Sequence, residues 1–201
     1  MFTSLPMPDS LTVGTSNVVF SQSVKTLGVM LDTHLTMKNR VINLVRTANF
    51  ELRRINSIRH YLSVEATQKL VLAFVMSRLD YCNSLLYGCP QYLLSRLQKV
   101  KNSAALFILK VSKTDHITPH WQTLHWLPVN ATIQYNICPP CFNVINSSGP
   151  QYFADLFKIY APFRQLRSSA DTCTLCIASV HTKGYGRRAI SHSASTLEQS
   201  F

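Results

Sequence analysis

From Val41 onward, apolar residues recur at Val45, Ala48, Leu52 and Ile55, in steps of four, three, four and three. Those steps follow the 3.6-residue turn, so all five side chains share one face of a helix that needs a partner to cover it. The signal returns twice. The stretch VEATQKLVLAFVMSRLDYCNSLLYG predicts a second helix, with Ser63 as N-cap, Glu65 in the first turn, and Gly88 and Pro90 as the stop. Leu93, Leu97, Val100, Ala104 and Ile108 predict a third over roughly 92–111, with Arg96, Lys99, Lys101 and Lys110 mostly outward. Three amphipathic helices in succession commit the middle of the chain to helix-on-helix packing.

The flanks read differently. LTV, NVVF and VKTLGVML are short β-rich runs separated by Gly14-Thr15-Ser16-Asn17 and Ser21-Gln22-Ser23, which predicts a hairpin or small antiparallel piece. Beyond the third helix, DHITPHWQTLHWLPV opens a short helix with Thr118 as cap and Pro119 at its first position, closed by Pro128. Within it Trp121, Leu124 and His125 can meet as a packing knot. Ile133, Ile137, Cys141 and Ile145 continue a helical pattern, but Pro139-Pro140 sit inside it. An interior proline costs about 3 kcal/mol through a lost hydrogen bond and a clash, so a break is expected there. GPQYFADLFKIYAP gives one more short helix, and the Ser/Thr-rich tail has only brief β-like runs. The expected fold is therefore mainly α (α+β). It comprises an N-terminal hairpin over 1–37, a three-helix bundle over 38–112, a looser helical region over 113–165 and an irregular tail over 166–201.

Twenty Lys and Arg face nine Asp and Glu, a formal charge of +11 in a chain that is only 14% charged. The excess comes from missing acids, and such a surface attracts phosphate polymers or anionic membrane. No segment reaches the roughly 18 uninterrupted apolar residues that span a bilayer, and the first residues lack a basic flank before an apolar run, so no membrane partner and no secretion are expected. The nine carboxylates are scattered, with no two adjacent and none two or three apart. Two-metal chemistry and paired-carboxylate hydrolysis draw on converging acids, and nothing in the spacing supplies them.

Two motifs invite a site. His116, His120 and His125 are spaced by four and five, but Pro119 starts the helix between the first two and no further ligand is specified, so scaffold is the expected role. Cys138 to Cys141 and Cys173 to Cys176 form two C-x-x-C pairs, a common way to deliver four thiolates to a tetrahedral zinc. The gap between the pairs is longer than the roughly 15 to 20 residues of the usual pattern, and buried or surface thiols are the expected reading. No metal and no cofactor are expected; a zinc-dependent interaction module is the alternative.

Several stretches then stand in a familiar order: SLTVGTSNVVFSQSVKTLGVMLDTHLTM, SRLDYCNSLLYG, LQKVKNSAALFIL, DHITPHWQTLHWLPV, GPQYFADL and LRSS. From about Ser10 to Ala194 the chain resembles the C-terminal part of the reverse transcriptase of LINE-type non-long-terminal-repeat retrotransposons of the jockey and chicken-repeat kind. The resemblance implies that Lys25 to Gly28 belong to the last block of an RNA-directed DNA polymerase just after its palm, and that the following helices are a thumb. The family's catalytic acids, which include a paired aspartate, lie in blocks upstream, and none of those blocks is here. The chain also departs from the family at Leu106, where an arginine is usual, at Pro139-Pro140, at Gly184 to Ile190, and at Glu198, where a tryptophan is usual. A decayed or truncated element copy, without a selected function, fits those departures.

Under this resemblance the chain is a non-catalytic fragment, not an enzyme, that retains weak sequence-independent affinity for RNA or DNA. Lys25, Arg46, Arg53 and Arg54 are the nucleic-acid-binding candidates: only Glu51 lies between Asp32 and Ser63, and arginine suits bidentate contact with phosphate. The bland reading of the same residues is a solvated helix face. Four engaged phosphates give a log-log salt slope of roughly −3 to −4. Without a palm to pack on, apolar surface on the hairpin and first helix is expected to be exposed and to favour self-association.

Overall fold

The computed structural model describes residues 10–112, 114–146 and 148–155. Over these residues the chain is mainly helical with a small antiparallel strand content. The strands form two hairpins where one was expected. Strand β1 (Ser10–Val13) pairs with β2 (Ser16–Val19), Leu11 opposite Val18. Strand β3 (Ser23–Thr26) pairs with β4 (Val29–Asp32), Val24 opposite Leu31. The second turn has positive φ at both central residues, Leu27 (48°) and Gly28 (79°), as a type I′ turn requires. Leucine is a poor occupant of the left-handed region. Here its carbonyl accepts a hydrogen bond from the Tyr81 hydroxyl at 2.7 Å, and the side chain stays in solvent.

Helix α1 (Lys38–Ser57) buries Val41, Ala48 and Ile55, with Val45 and Leu52 packed alongside. The whole expected face is thus inward. The chain enters α1 through a left-handed Met37, and the Asp32 carboxylate accepts from the Thr36 hydroxyl and from the Met37 N–H at 3.4 Å.

The expected second helix is shorter and less regular. Helix α2 (Val64–Val71) starts as its cap requires, with the Ser63 hydroxyl accepting from the Ala66 N–H at 3.1 Å. It widens into a π-helical turn over Leu72–Met76 and continues as helix α3 (Ser77–Asp80). It does not reach Gly88. At Tyr81 the backbone becomes extended, Cys82 turns left-handed, and a 3-10 turn follows over Asn83–Leu86. The reason is tertiary: the Arg40 guanidinium donates to the Tyr81 and Cys82 carbonyls, giving these acceptors a partner outside the helical ladder.

Helix α4 (Gln91–Leu109) is the central element. It buries Leu93, Leu97, Val100, Ala104 and Ile108 as the spacing requires, and packs against α1 and α2. One residue contradicts the sequence reading. Lys101 is 4% exposed instead of outward, because the helix over Val129–Ile145 covers that side and its Thr132 hydroxyl accepts from the Lys101 ammonium at 3.2 Å.

Helix α5 (Ile117–Leu124) begins with His116 at the N-cap, not Thr118, so Pro119 stands at the third position. A proline is harmless there because N–H groups of the first turn have no intrahelical acceptor. Trp121 and Trp126 pack half-buried against the core, while His125 is exposed and contributes a left-handed backbone that ends the helix. The segment is scaffold, but the histidine side chain is not the part that packs.

Helix α6 (Val129–Ile145) runs straight through Pro139-Pro140, against the expected break. Its buried row lies on both sides of the pair, at Ile133, Ile137 and Cys141, and Asn136 donates to the Asn83 side chain at 2.8 Å. Breaking the helix would detach that row, which outweighs the two missing N–H donors. Tyr135, whose carbonyl loses the Pro139 donor, is exposed, so water can replace it. Helix α7 (Gln151–Ala154) is a single turn within the expected last helix; the rest of that helix, the tail and Glu198 lie outside the described residues.

Candidate functional site

The exposed side of α1 carries Asn43, Arg46, Phe50, Arg53 and Arg54. Arg53 follows Arg46 by seven positions, so the two guanidinium groups rise from nearly the same stripe about two turns apart. Among the described residues neither has an ion-pair partner. Two cations rooted about 10 Å apart along one helix are too far apart to share a single carboxylate, and they leave a linear positive stripe.

Arg54 is different. Its Nη1 lies 3.3 Å from the Glu51 carboxylate, and its guanidinium sits over the Phe50 ring at 5.8 Å. Glu51 is 7% exposed, and its other oxygen is 3.5 Å from Arg78 of α3. One buried carboxylate therefore serves two arginines and ties α1 to α3. Arg54 belongs to that tie more than to the open stripe, and the scarcity of acids around α1 conceals how completely the single acid is used.

Lys25 extends from β3 at the edge of an open cleft of about 590 Å³ that it shares with Arg40 and Arg78. The cleft lies between the second hairpin, the N-terminal half of α1, and α3 with Tyr81. Sequence reasoning missed Arg40 and Arg78. Arg78 gives no local signal, since only the π turn and the packing of α3 on α1 bring it beside Glu51. Arg40 did carry one: it is a cation in the first turn of a helix, where the macrodipole disfavours positive charge. Burial pushes its guanidinium below the usual arginine range, with Cys82, Tyr81 and Cys89 acting in the opposite direction.

Among the other described cations, Arg59 and Lys101 are structural and Lys99 is peripheral. Arg59 is buried and donates to the Leu62 carbonyl at 2.8 Å and the Ile108 carbonyl at 3.1 Å, closing the α1 end onto α4. Burial lowers the Lys101 ammonium and raises the Asp80 carboxyl from their ordinary values, and each partly offsets the other by attraction. Lys99 is exposed on α4, away from the α1 stripe.

Cys138 and Cys141 lie one turn apart on α6, and the buried Cys141 thiol donates to the Ile137 carbonyl at 3.0 Å. Cys173 and Cys176 lie outside the described residues, and among the described residues no group of three or more His, Cys, Asp or Glu side chains converges on a metal position. No helix among the described residues is long and apolar enough to cross a membrane. Against known proteins, no family model, curated protein or solved structure matches this chain.

Proposed function

We propose that the chain is a non-catalytic fragment of the LINE-type reverse transcriptase kind, and that it clasps RNA or DNA by the phosphate backbone without reading sequence. The observation that supports this reading most is the pair Arg46 and Arg53, exposed on one stripe of α1 with no carboxylate partner among the described residues, while neighbouring Arg54 and Arg78 are held by Glu51. Lys25 adds a third contact from the hairpin side. Backbone contacts of this type position a strand and carry no base discrimination.

The exposed apolar residues of the hairpins, Leu11, Val13, Val18, Val19, Phe20 and Val24, give the chain a second tendency, to associate with its own copies. The test of function is binding of a labelled single-stranded oligonucleotide to wild type and to the double variant Arg46→Gln/Arg53→Gln. The variant is expected to bind about tenfold more weakly at 50 mM salt, with the two lost charge-assisted contacts worth about 1.4 kcal/mol together after solvent screening. Equal affinity of the two proteins contradicts the proposal.

A further inference from the structure

The cleft beside the α1 stripe contains more positive charge than the fold uses. Lys25, Arg40 and Arg78 reach it from three separate elements, no carboxylate among the described residues lines it, and Asn43 and Thr47 add neutral polar groups. Like charges drawn together repel unless something neutralises them. Glu51, behind Arg78, does so only in part, because it also serves Arg54.

Arg40 sharpens the point. It is 5% exposed, and its Nη2 donates to the Tyr81 and Cys82 carbonyls, yet its Nε has no acceptor among the described residues. A buried donor without a partner is costly, and so is a cation at a helix N-terminus. Nearby anionic charge relieves both the repulsion and the unfavourable dipole. The second hairpin closes one wall through Lys25 and Gly28, and the Tyr81 hydroxyl holds the tip of that hairpin by the Leu27 carbonyl.

We infer that this cleft is an oxyanion site for one phosphate group, with Lys25 and Arg78 as the direct contacts and Arg40 supplying charge from the buried wall. It rests on the proposed backbone clasp only for one possible origin of the phosphate, the end of a strand; a free phosphate ion is the other. A tetrahedral dianion bridging Lys25 and Arg78 joins the hairpin to α3, so binding stabilises the native state.

The full chain is heated in inorganic phosphate and in chloride at equal ionic strength. At ten times the dissociation constant the phosphate-specific rise in Tm is expected to be roughly 3–6 °C for a chain of this size. It is expected to vanish in Lys25→Gln and in Arg78→Gln, and to persist in Arg46→Gln/Arg53→Gln, so the site and the α1 stripe can fail separately. A second arm compares an oligonucleotide with and without a 5′-phosphate. Tighter binding of the phosphorylated strand, lost in Lys25→Gln, assigns the site to a strand end. Equal binding with the phosphate-specific Tm rise intact assigns it to the free ion. A wild-type rise no larger than in chloride, or one that survives both cleft substitutions, overturns the site.

Discussion

The two hairpins are built alike, each from four-residue antiparallel strands joined by a two-residue turn, and they meet different fates. Every residue of β2 is exposed, and β1 buries no side chain fully. In the second hairpin Val29 is 5% exposed and Leu31 packs against the helical core, because β4 lies on α1. Local sequence is enough to make a hairpin; burial needs a partner surface at the right distance. The turn before β4 and the Asp32 junction after it supply that distance. Among the described residues the first hairpin has no such tether, and its valines remain a surface.

This contrast can be broken most strongly at Val29. Val29→Ala removes two buried methyl groups and is expected to cost about 1.5–3 kcal/mol, read as a lower urea midpoint. Val19→Ala in the first hairpin is the internal control, since Val19 is 71% exposed.

The junction gives a smaller effect that depends on pH. Burial works against ionisation of Asp32, but hydrogen bonds from the Thr36 hydroxyl and from the Thr36 and Met37 backbone prevail and hold its carboxyl below the ordinary 3.8. A depressed folded value means that the unfolded chain binds the proton more readily. The stabilisation is therefore present above about pH 4 and is lost as pH falls through the folded value. Asp32→Asn is expected to flatten this acid limb in urea titrations between pH 2 and 5, while leaving the first hairpin unaffected.

The smallest effect on stability is expected in the first hairpin itself. Val19→Thr should change the unfolding free energy by less than about 0.5 kcal/mol. Its consequence appears in association: a lower weight-average mass in light scattering at high protein concentration. An unchanged mass would remove the β1–β2 face from any role in self-association.

Much of the helical body was legible because its signals are local and repeated. The α1 face and the five inward residues of α4 followed from spacing alone, and Ser63 from its position before an apolar run. The failures share one cause. The early end of α3, the buried Lys101 and the unbroken α6 each depend on a side chain from a distant element: Arg40 on the Tyr81 carbonyl, Thr132 on Lys101, and Asn83 on Asn136. Periodicity within a segment cannot register them. The candidate site divides the same way. Arg46 and Arg53 could be named from the scarcity of acids along one helix, whereas the pairing of Arg54 and the arrival of Arg40 and Arg78 beside Lys25 required α1, α3 and the second hairpin to be placed together.

The central claim, that exposed cations on α1 and β3 hold a phosphate backbone, is tested most directly by the salt dependence of oligonucleotide binding. With Lys25, Arg46 and Arg53 each engaging one phosphate, the log-log slope is expected to be roughly −2 to −3, an affinity loss of roughly fifteen- to sixtyfold between 50 and 200 mM salt. Binding that does not change over that range contradicts the claim.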